Sequence, residues 1–581
     1  NKQHVIGAYA SGSSSQSGHF DGYMTEFYFI DGQQLTASSF GETNEKTGQW
    51  VPIKYTGTYG NKGWYIDFSD SSTFGKDYSG NSQDFTPANL SNTTGVGNDS
   101  LEDTPTNNFC VLNPNIGNGA RSGAIASNGN LDLAGTDEST NRATFVFGPG
   151  HITSGKWYWE ITSTGGANGQ RIGLSGDLWG SQGLNSVWFR GGDVSWFASN
   201  SYKKYTQTSE TSSGSYTSGD VTGVAYNADD GEIKYYKNGT LALTDDTLPS
   251  VTTTEFHIAV HGSNTGSNNW PVGSLNFGQR AFAHTPPTGY KKLCSANLST
   301  PTIKNGEDHF NIVTYTGTGG SQSESSLAFQ PDLLWFKKRT DDSEHHYLHN
   351  AVSGANKYLY SNLTNAEATE SIITITSNGW TQDNNNNSHN KSGDTYVTWL
   401  WLAGGGSTSS NGDGDITSTV SVNSTAGFSI VTYTGTGTDS DTIGHGLGVV
   451  PGMIMIKRRD NGSGGTNWRV WHKNLENTKT LELNGDASEQ AQSDVFDTST
   501  PPTSSVFRPN NHVSVNTSGG TYVAYCFADV VGYSKTGVYR GNGNSDGSFV
   551  YLGFKPAFIM LKNISTSGTS WRIYDSKRPG Y

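Results

Sequence analysis

Any chemistry in this 581-residue chain has to be sought first among its histidines and carboxylates. The stretch EHHYLHN (344–350) groups His345, His346 and His349. In a strand His345 and His349 share a face, with Tyr347 between them, and imidazole suits a transition metal. The partner carboxylate is unidentified, and isolated surface histidines are the commoner reading. NGDGDITS (411–418) resembles a calcium loop but lacks the regular Asp/Asn spacing and the bidentate Glu of an EF-hand. It follows AGGGSTSS and reads as a solvated turn. Asp67, Asp70, Asp177 and Asp220 could supply the carboxylate pair of a glycosidase. All four sit beside turns, where Asp is expected anyway. No G-x-S-x-G elbow, H-E-x-x-H helix or phosphate loop is present. These residues predict no catalytic group, no metal and no cofactor, and the chain is not expected to be an enzyme.

The net charge of -14 argues against a nucleic-acid partner, which favours a basic face. It also disfavours non-specific adhesion to anionic surfaces, while leaving neutral glycans open. Aromatics reach 12% against 15% charged residues, which is not the profile of a disordered chain. No run approaches the ~18 apolar residues of a membrane helix, so no membrane insertion is expected. The most apolar short run, YVTWLWLA (396–403), is strand-sized. Cys110, Cys294 and Cys526 are odd in number and far apart, so no disulfide framework is expected. Cys526, in YVAYCFADV, reads as a buried thiol in a strand.

The elements that must carry any site are strands. Short runs rich in Thr, Val and Tyr, punctuated by Gly, Asn and Asp, predict an all-β chain. In KWYWEI (156–161) alternation places Trp157, Trp159 and Ile161 on one face and Tyr158 and Glu160 on the other. That is a core face with an amphipathic outer face, not a row of exposed rings. In GDVTGVAYNADDGEIKYYKNGT (219–240) the Asp-Gly and Asn-Gly pairs predict tight hairpin turns.

SGKWYWEIT, RIGLSG (171–176), GDVTGVAYNADDGEIKYYKNG, LNFGQRAF and PPTGYKKL (286–293) occur in one order over about residues 105–300. In these motifs the chain resembles the SPRY domain. The resemblance implies a bent sandwich of two antiparallel sheets that binds partners through variable loops and has no catalytic chemistry of its own. Loops carry function on rigid scaffolds, so the candidate ligand surface is Trp179, Trp188, Trp196, Tyr202 and Tyr205 from 178–205, with Trp270 from 261–273. These rings stand among Gly, Ser and Asn, a mixture suited to adaptable recognition.

Downstream the chain repeats itself. FNIVTYTGTGG…QPDLLWFKKR (310–339), FSIVTYTGTGT…VPGMIMIKRR (428–459) and GVYRGNGN…KPAFIMLK (537–562) share a strand, a Gly-rich turn, then Pro, four mostly apolar residues and Lys. The first two units close on GDTYVTWLWLAGG (393–405) and GGTYVAYCFADVVG (519–532). The same offset places a third closing strand at roughly 621–627, so the sequence is expected to be part of a longer chain. The basic ends KKR (337–339) and KRR (457–459) recur with the repeat and read as structural. DNNNNSHN (383–390) reads as a polar loop tip.

GHFDGYMTEFYFIDGQQLTASSFGE (18–42) resembles the exit of a concanavalin A-like, laminin G-type jelly roll. Residues 55–109 resemble a connector of marine phage structural proteins, as do the repeats. The expected organisation is an all-β string of antiparallel β-sandwich modules. These are the end of a concanavalin A-like domain (1–45), a connector (46–104), a SPRY-like sandwich (105–300), β repeats A (301–410) and B (411–532), and an incomplete repeat C (533–581). This order resembles a phage tail fibre or related virion adhesin. It implies an extracellular place on the virion, a homo-oligomer with a trimer favoured, and contact with other virion proteins or with host surface glycan or receptor. The alternatives are a glycan-degrading tailspike, a capsid fibre or decoration protein, and a secreted bacterial adhesin.

Overall fold

The structure is a computed structural model. It describes residues 4–10, 16–20, 22–43, 50–104, 107–112, 124–135, 144–148, 154–165, 171–175, 193–197, 201–203, 211–212, 214–246, 248, 257–261, 273–298, 301–370, 372–461, 465–539, 541, 543–545, 547–548, 550 and 552–578. The chain is all-β, built of antiparallel sheets. It divides into two compact units, Asn1–Leu298 with Tyr539–Tyr551, and Ser299–Val538 with Leu552–Tyr581.

In the first unit the strand expected in GYMTEFYFI is short. Phe27–Phe29 pairs with Trp64–Ile66 of the connector, Tyr28 opposite Tyr65. Those two rings stack at 4.4 Å. The connector turns around Asp77, whose carboxylate accepts from the backbone N–H of Tyr65, Ser79 and Gln83 at 2.8–2.9 Å. Burial pushes the Asp77 pKa up, but these donors and the Ser79 hydroxyl outweigh it and hold the acid below its ordinary range.

Two seven-stranded sheets follow. In one, Lys156–Ser163 lies between Val221–Asn227 and Gly273–Asn276. In the other, Arg171–Ser175 lies between Asp193–Phe197 and His257–His261. One apolar cluster joins them through Trp157, Trp159, Ile161, Ile172, Leu174 and Val224, all buried. The alternation read from KWYWEI therefore holds for the core face. The outer face differs from the expectation. Tyr158 and Glu160 are 1% and 2% exposed, because residues 282–291 fold over them. Phe282 meets the Tyr158 ring edge-on at 4.9 Å, and Glu160 accepts from the backbone N–H of Ala283 and His284 at 2.8 and 2.9 Å. The Asn-Gly turn is as predicted. Lys237 pairs with Thr240, and Asn238 and Gly239 both take positive φ, 49° and 79°.

In the second unit, repeat A has a six-stranded sheet in the order Phe310–Thr316, Thr395–Trp401, Leu333–Lys338, Tyr347–Asn350, Lys357–Tyr360, Ala368–Thr369. Repeat B has Ser409–Asn411, Ser418–Asn423, Phe428–Thr434, Thr521–Phe527, Met453–Arg458, Arg469–His472. Repeat C contributes the hairpin Phe558–Leu561 with Arg572–Asp575. The repeats share strand register. Tyr315 faces Tyr396 and Tyr433 faces Tyr522, stacked at 5.2 and 5.1 Å. Leu333 faces Trp401 and Met453 faces Phe527.

Each central strand uses both faces. Leu334 and Phe336 of repeat A enter its private core with Trp380, and Ile454 and Ile456 do the same in repeat B. The alternate row, Leu333, Trp335 and Met455, enters one core common to all three repeats, against which Phe558 and Met560 also pack. Two contacts recur around that core. Trp468 Nε1 of repeat B donates to the Tyr360 carbonyl of repeat A, and Trp571 Nε1 of repeat C donates to the Glu482 carbonyl of repeat B, both at 2.8 Å. Asn350 Nδ2 of repeat A donates to the Tyr525 hydroxyl of repeat B at 3.1 Å, and Trp399 Nε1 of repeat A donates to Asp575 of repeat C at 3.0 Å. Contacts that recur in this order arrange the repeats cyclically, A to B to C and back to A.

The lysine after each apolar run has a structural use. Lys337 Nζ donates to the Glu344 carbonyl at 2.6 Å, Lys457 Nζ to the carbonyls of Thr364 and Thr466, and Lys562 Nζ to that of Thr569. In each repeat the ammonium ties the far end of its hairpin.

Candidate functional site

The histidines of 344–350 do not converge. The strand begins at Tyr347, so His345 and His346 precede it. His345 Nδ1 lies 3.1 Å from Asn362 Nδ2, and His346 Nδ1 accepts from Trp335 Nε1 at 3.0 Å. His349 instead meets a residue that sequence reading missed. Its Nε2 lies 3.1 Å from Nε2 of His389, and both rings are 0% exposed. His389 comes from the run 383–390, whose end is core and not a loop tip; Ser388 and Asn390 are buried with it. Aligning HNKSGDTYV with VNTSGGTYV shows the signal that was available. His389 stands where repeat B has Val515, itself 0% exposed.

The hydrogen bonds assign the protons. His349 Nδ1 faces the Ala355 carbonyl at 3.0 Å, so it carries the hydrogen. Its Nε2 then accepts from His389 Nε2–H, and His389 Nδ1 is left bare and without a partner. Burial brings the His349 pKa down to about 4 and holds that of His389 well below its ordinary value. Two neutral imidazoles in an aromatic box result. Among the described residues no three His, Cys, Asp or Glu side chains gather as a metal site requires.

A polar aromatic cluster borders this pair. Tyr347 is buried, while Tyr358, Tyr360, Glu344, Glu370, Asn386 and Asn387 are partly exposed. The three tyrosine rings lie 4.9–5.3 Å apart. The Tyr347 hydroxyl donates to Glu344 at 3.0 Å and accepts from Ser388 at 2.7 Å. Glu370 accepts from Asn386 Nδ2 at 2.6 Å. Burial raises the Glu370 pKa; the Asn386 bond opposes it and the charge of Glu344 adds to it. Ring faces beside carboxylate and amide groups can cover the apolar face of a sugar and hold its hydroxyls.

The carboxylates singled out in the sequence serve turns. Asp67 accepts from Ser69 N at 3.0 Å and Asp70 from Ser72 N at 2.9 Å. The Ser72 and Thr73 hydroxyls lead the donors that hold Asp70 at a pKa of about 2. Asp220 accepts from Thr217 N at 2.7 Å and pairs with Lys237 at 3.0 Å. Asp177 lies outside the described residues. In 411–418, Asp413 bonds Asn411 and Asp415 accepts from Thr442, which ties that loop down. Cys110, Cys294 and Cys526 are all buried, and none of them is in a disulfide. An open apolar groove of about 730 Å³ near the start of the chain is lined by Tyr9, Phe20, Tyr23, Met24 and Phe27. No helix among the described residues is long and apolar enough to cross a membrane.

Two seven-stranded sheets around Trp157, Trp159 and Val224 are the arrangement that the motifs of 105–300 imply. Residues 156–269 match the family model of the SPRY domain. The chain contains a SPRY domain. Residues 305–581 match a second model, described as a domain of unknown function, DUF7483. Among solved structures, the SPRY domain of human HERC1 is 17% identical, covering 26% of this chain and 89% of that one, with a TM-score of 0.21. The stonustoxin structure is 16% identical, covering 29% of this chain and 26% of that one, with a TM-score of 0.22. No curated protein matches.

On the SPRY domain the candidate ligand residues fall mostly outside the described residues: Trp179, Trp188, Tyr205 and Trp270 all do. Trp196 and Tyr202 are placed by their backbones. They are register partners in the hairpin Asp193–Phe197 with Ser201–Lys203, next to the last strand of their sheet. Among the described residues, these are the two of the six named from the sequence, and the hairpin register brings them together.

Proposed function

We propose that this protein is a structural adhesin of a phage virion, of tail-fibre type, that binds a host surface glycan through aromatic and polar residues presented on rigid β modules. The observation that carries the reading is the tyrosine cluster of repeat A, where Tyr358 and Tyr360 stand partly exposed beside Glu344, Glu370, Asn386 and Asn387. Such a surface is suited to a neutral, hydroxyl-rich ligand, and the net charge of -14 suits a neutral partner better than an anionic one. The SPRY hairpin with Trp196 and Tyr202 offers a second aromatic position on a separate module. Several weak sites on one fibre give avidity, and a homotrimer multiplies them. The module order, with connector and β repeats around a SPRY domain, supports the place on the virion.

Immunogold labelling of purified phage particles, with antibody against residues 105–300, tests this. Label at the tail periphery is the expected result. Label on the head would make the protein a capsid fibre or decoration, and unlabelled particles would remove the virion reading. Retention on envelope polysaccharide is expected to fall at least several-fold in the Tyr358→Ala/Tyr360→Ala variant. Unchanged retention would remove the cluster from the binding surface.

A further inference from the structure

The three repeats differ at one edge. Leu333–Lys338 is bonded to Tyr347–Asn350 on one side and to Thr395–Trp401 on the other. Met453–Arg458 is bonded likewise to Arg469–His472 and Thr521–Phe527. Phe558–Leu561 is bonded to Arg572–Asp575, and among the described residues no strand pairs with its other edge. Its inner row is uncovered to match. Leu334 and Ile454 are 0% exposed, but Ile559, at the same register position, is 36% exposed. Tyr574, at the position of the buried His349 and Trp471, is 55% exposed. The opposite row, Phe558 and Met560, packs on the common core as its counterparts do.

An unpaired edge with an apolar row is a template for another strand. We propose that the free edge of Phe558–Leu561 is a docking site for an extended peptide of closing-strand type, added antiparallel in the register of Thr395–Trp401 and Thr521–Phe527. The sister repeats state the occupant's chemistry. Both closing strands read Gly-x-Thr-Tyr-Val-x-aromatic-x-aromatic. In them one row, Val397 and Trp399 or Val523 and Tyr525, fills the common core, while the Tyr396 or Tyr522 row fills the private one. Main-chain bonds supply affinity and the alternate side chains specificity, as in other cases of strand addition. The cyclic contacts add a residue on the receiving side. Asn350 reaches Tyr525, and Asp575 accepts from Trp399. His472 holds the same register position in repeat B, opposite Met453 as Asn350 is opposite Leu333. It is the residue that meets the aromatic two places after the Val of the docked strand, the position of Trp399 and Tyr525.

The test uses the full chain and a fluorescent peptide of residues 516–529 with Cys526→Ser, beside a scrambled control. Saturable binding of the native-order peptide, with amide exchange slowed within 556–562, is expected. Binding is expected to weaken at least tenfold in Ile559→Lys, an exposed position that leaves the fold intact, and several-fold in His472→Ala. Equal binding of the scrambled peptide, unchanged binding by Ile559→Lys, or no protection at 556–562 overturns the proposal. So does protection of 556–562 that appears with protein concentration and no peptide, because the edge then joins two copies of the chain.

Discussion

His349 and His389 face each other nitrogen to nitrogen at 3.1 Å, forty residues apart in sequence and wholly out of water. Both are neutral in the fold, while an exposed imidazole in the unfolded chain protonates below about pH 6.5. The unfolded state therefore binds more protons across that window, and stability falls as pH falls from 6.5 towards the His349 value of about 4. Each imidazole contributes a slope of up to about 1.4 kcal/mol per pH unit. Denaturant unfolding of the wild type from pH 7 to 4 reads the slope. In His389→Val, which restores the repeat B residue, the slope is expected to drop by the share of one imidazole, up to about 1.4 kcal/mol per pH unit. An unaltered slope would place the acid sensitivity elsewhere.

Lys457 predicts the opposite end of the pH scale. Burial brings its pKa down to about 8, against an ordinary 10.5. Between those values the unfolded chain holds a proton that the fold does not, so stability rises with pH from 8 to 10.5. Lys457→Met is expected to lose this rise while also losing the bonds to the Thr364 and Thr466 carbonyls. Thermal unfolding at pH 7.5 and 9.5 distinguishes them; an equal pH response in both proteins argues against a buried ammonium.

The Gly-rich turn that marks the repeats is required by close approach. A Cβ on Gly317 would lie 2.3 Å from the Lys391 carbonyl oxygen, and one on Gly435 would lie 2.4 Å from that of Thr517. Gly317→Ala and Gly435→Ala are each expected to cost about 1–3 kcal/mol. Gly320→Ala, with open space around it, is the control, expected within about 0.5 kcal/mol of wild type. Denaturant midpoints of the three variants decide it, and a neutral Gly435→Ala would count against the rigid turn.

The recurring indole contacts join one repeat to the next. Trp468→Phe, at a residue 0% exposed, is expected to lose about 1–3 kcal/mol by leaving the Tyr360 carbonyl without this donor. Trp571→Phe is expected to lose less, because Trp571 is partly exposed. Equal stability of wild type and Trp468→Phe in urea would show that the contact does not hold repeats A and B together.

Much of the fold was legible in the residues. Period-two alternation identified Trp157, Trp159 and Ile161 as core, Asn238-Gly239 marked its hairpin, and the recurring Pro, apolar run and Lys that begin at Pro331, Pro451 and Pro556 revealed the repeats, because each of these motifs lies within a few consecutive residues. The covered face of Tyr158 and Glu160 was not legible, since the segment that covers it comes from 282–291, over a hundred residues away. The metal reading of His345 with His349 assumed a strand that begins two residues later, and the true partner, His389, arrives only when Thr395–Trp401 inserts beside Leu333–Lys338. Local pattern thus determined which residues form strands and turns. Sheet order and register decided which distant polar groups met, because a hydrogen bond or a buried pair depends on distance in space and leaves no period in the chain.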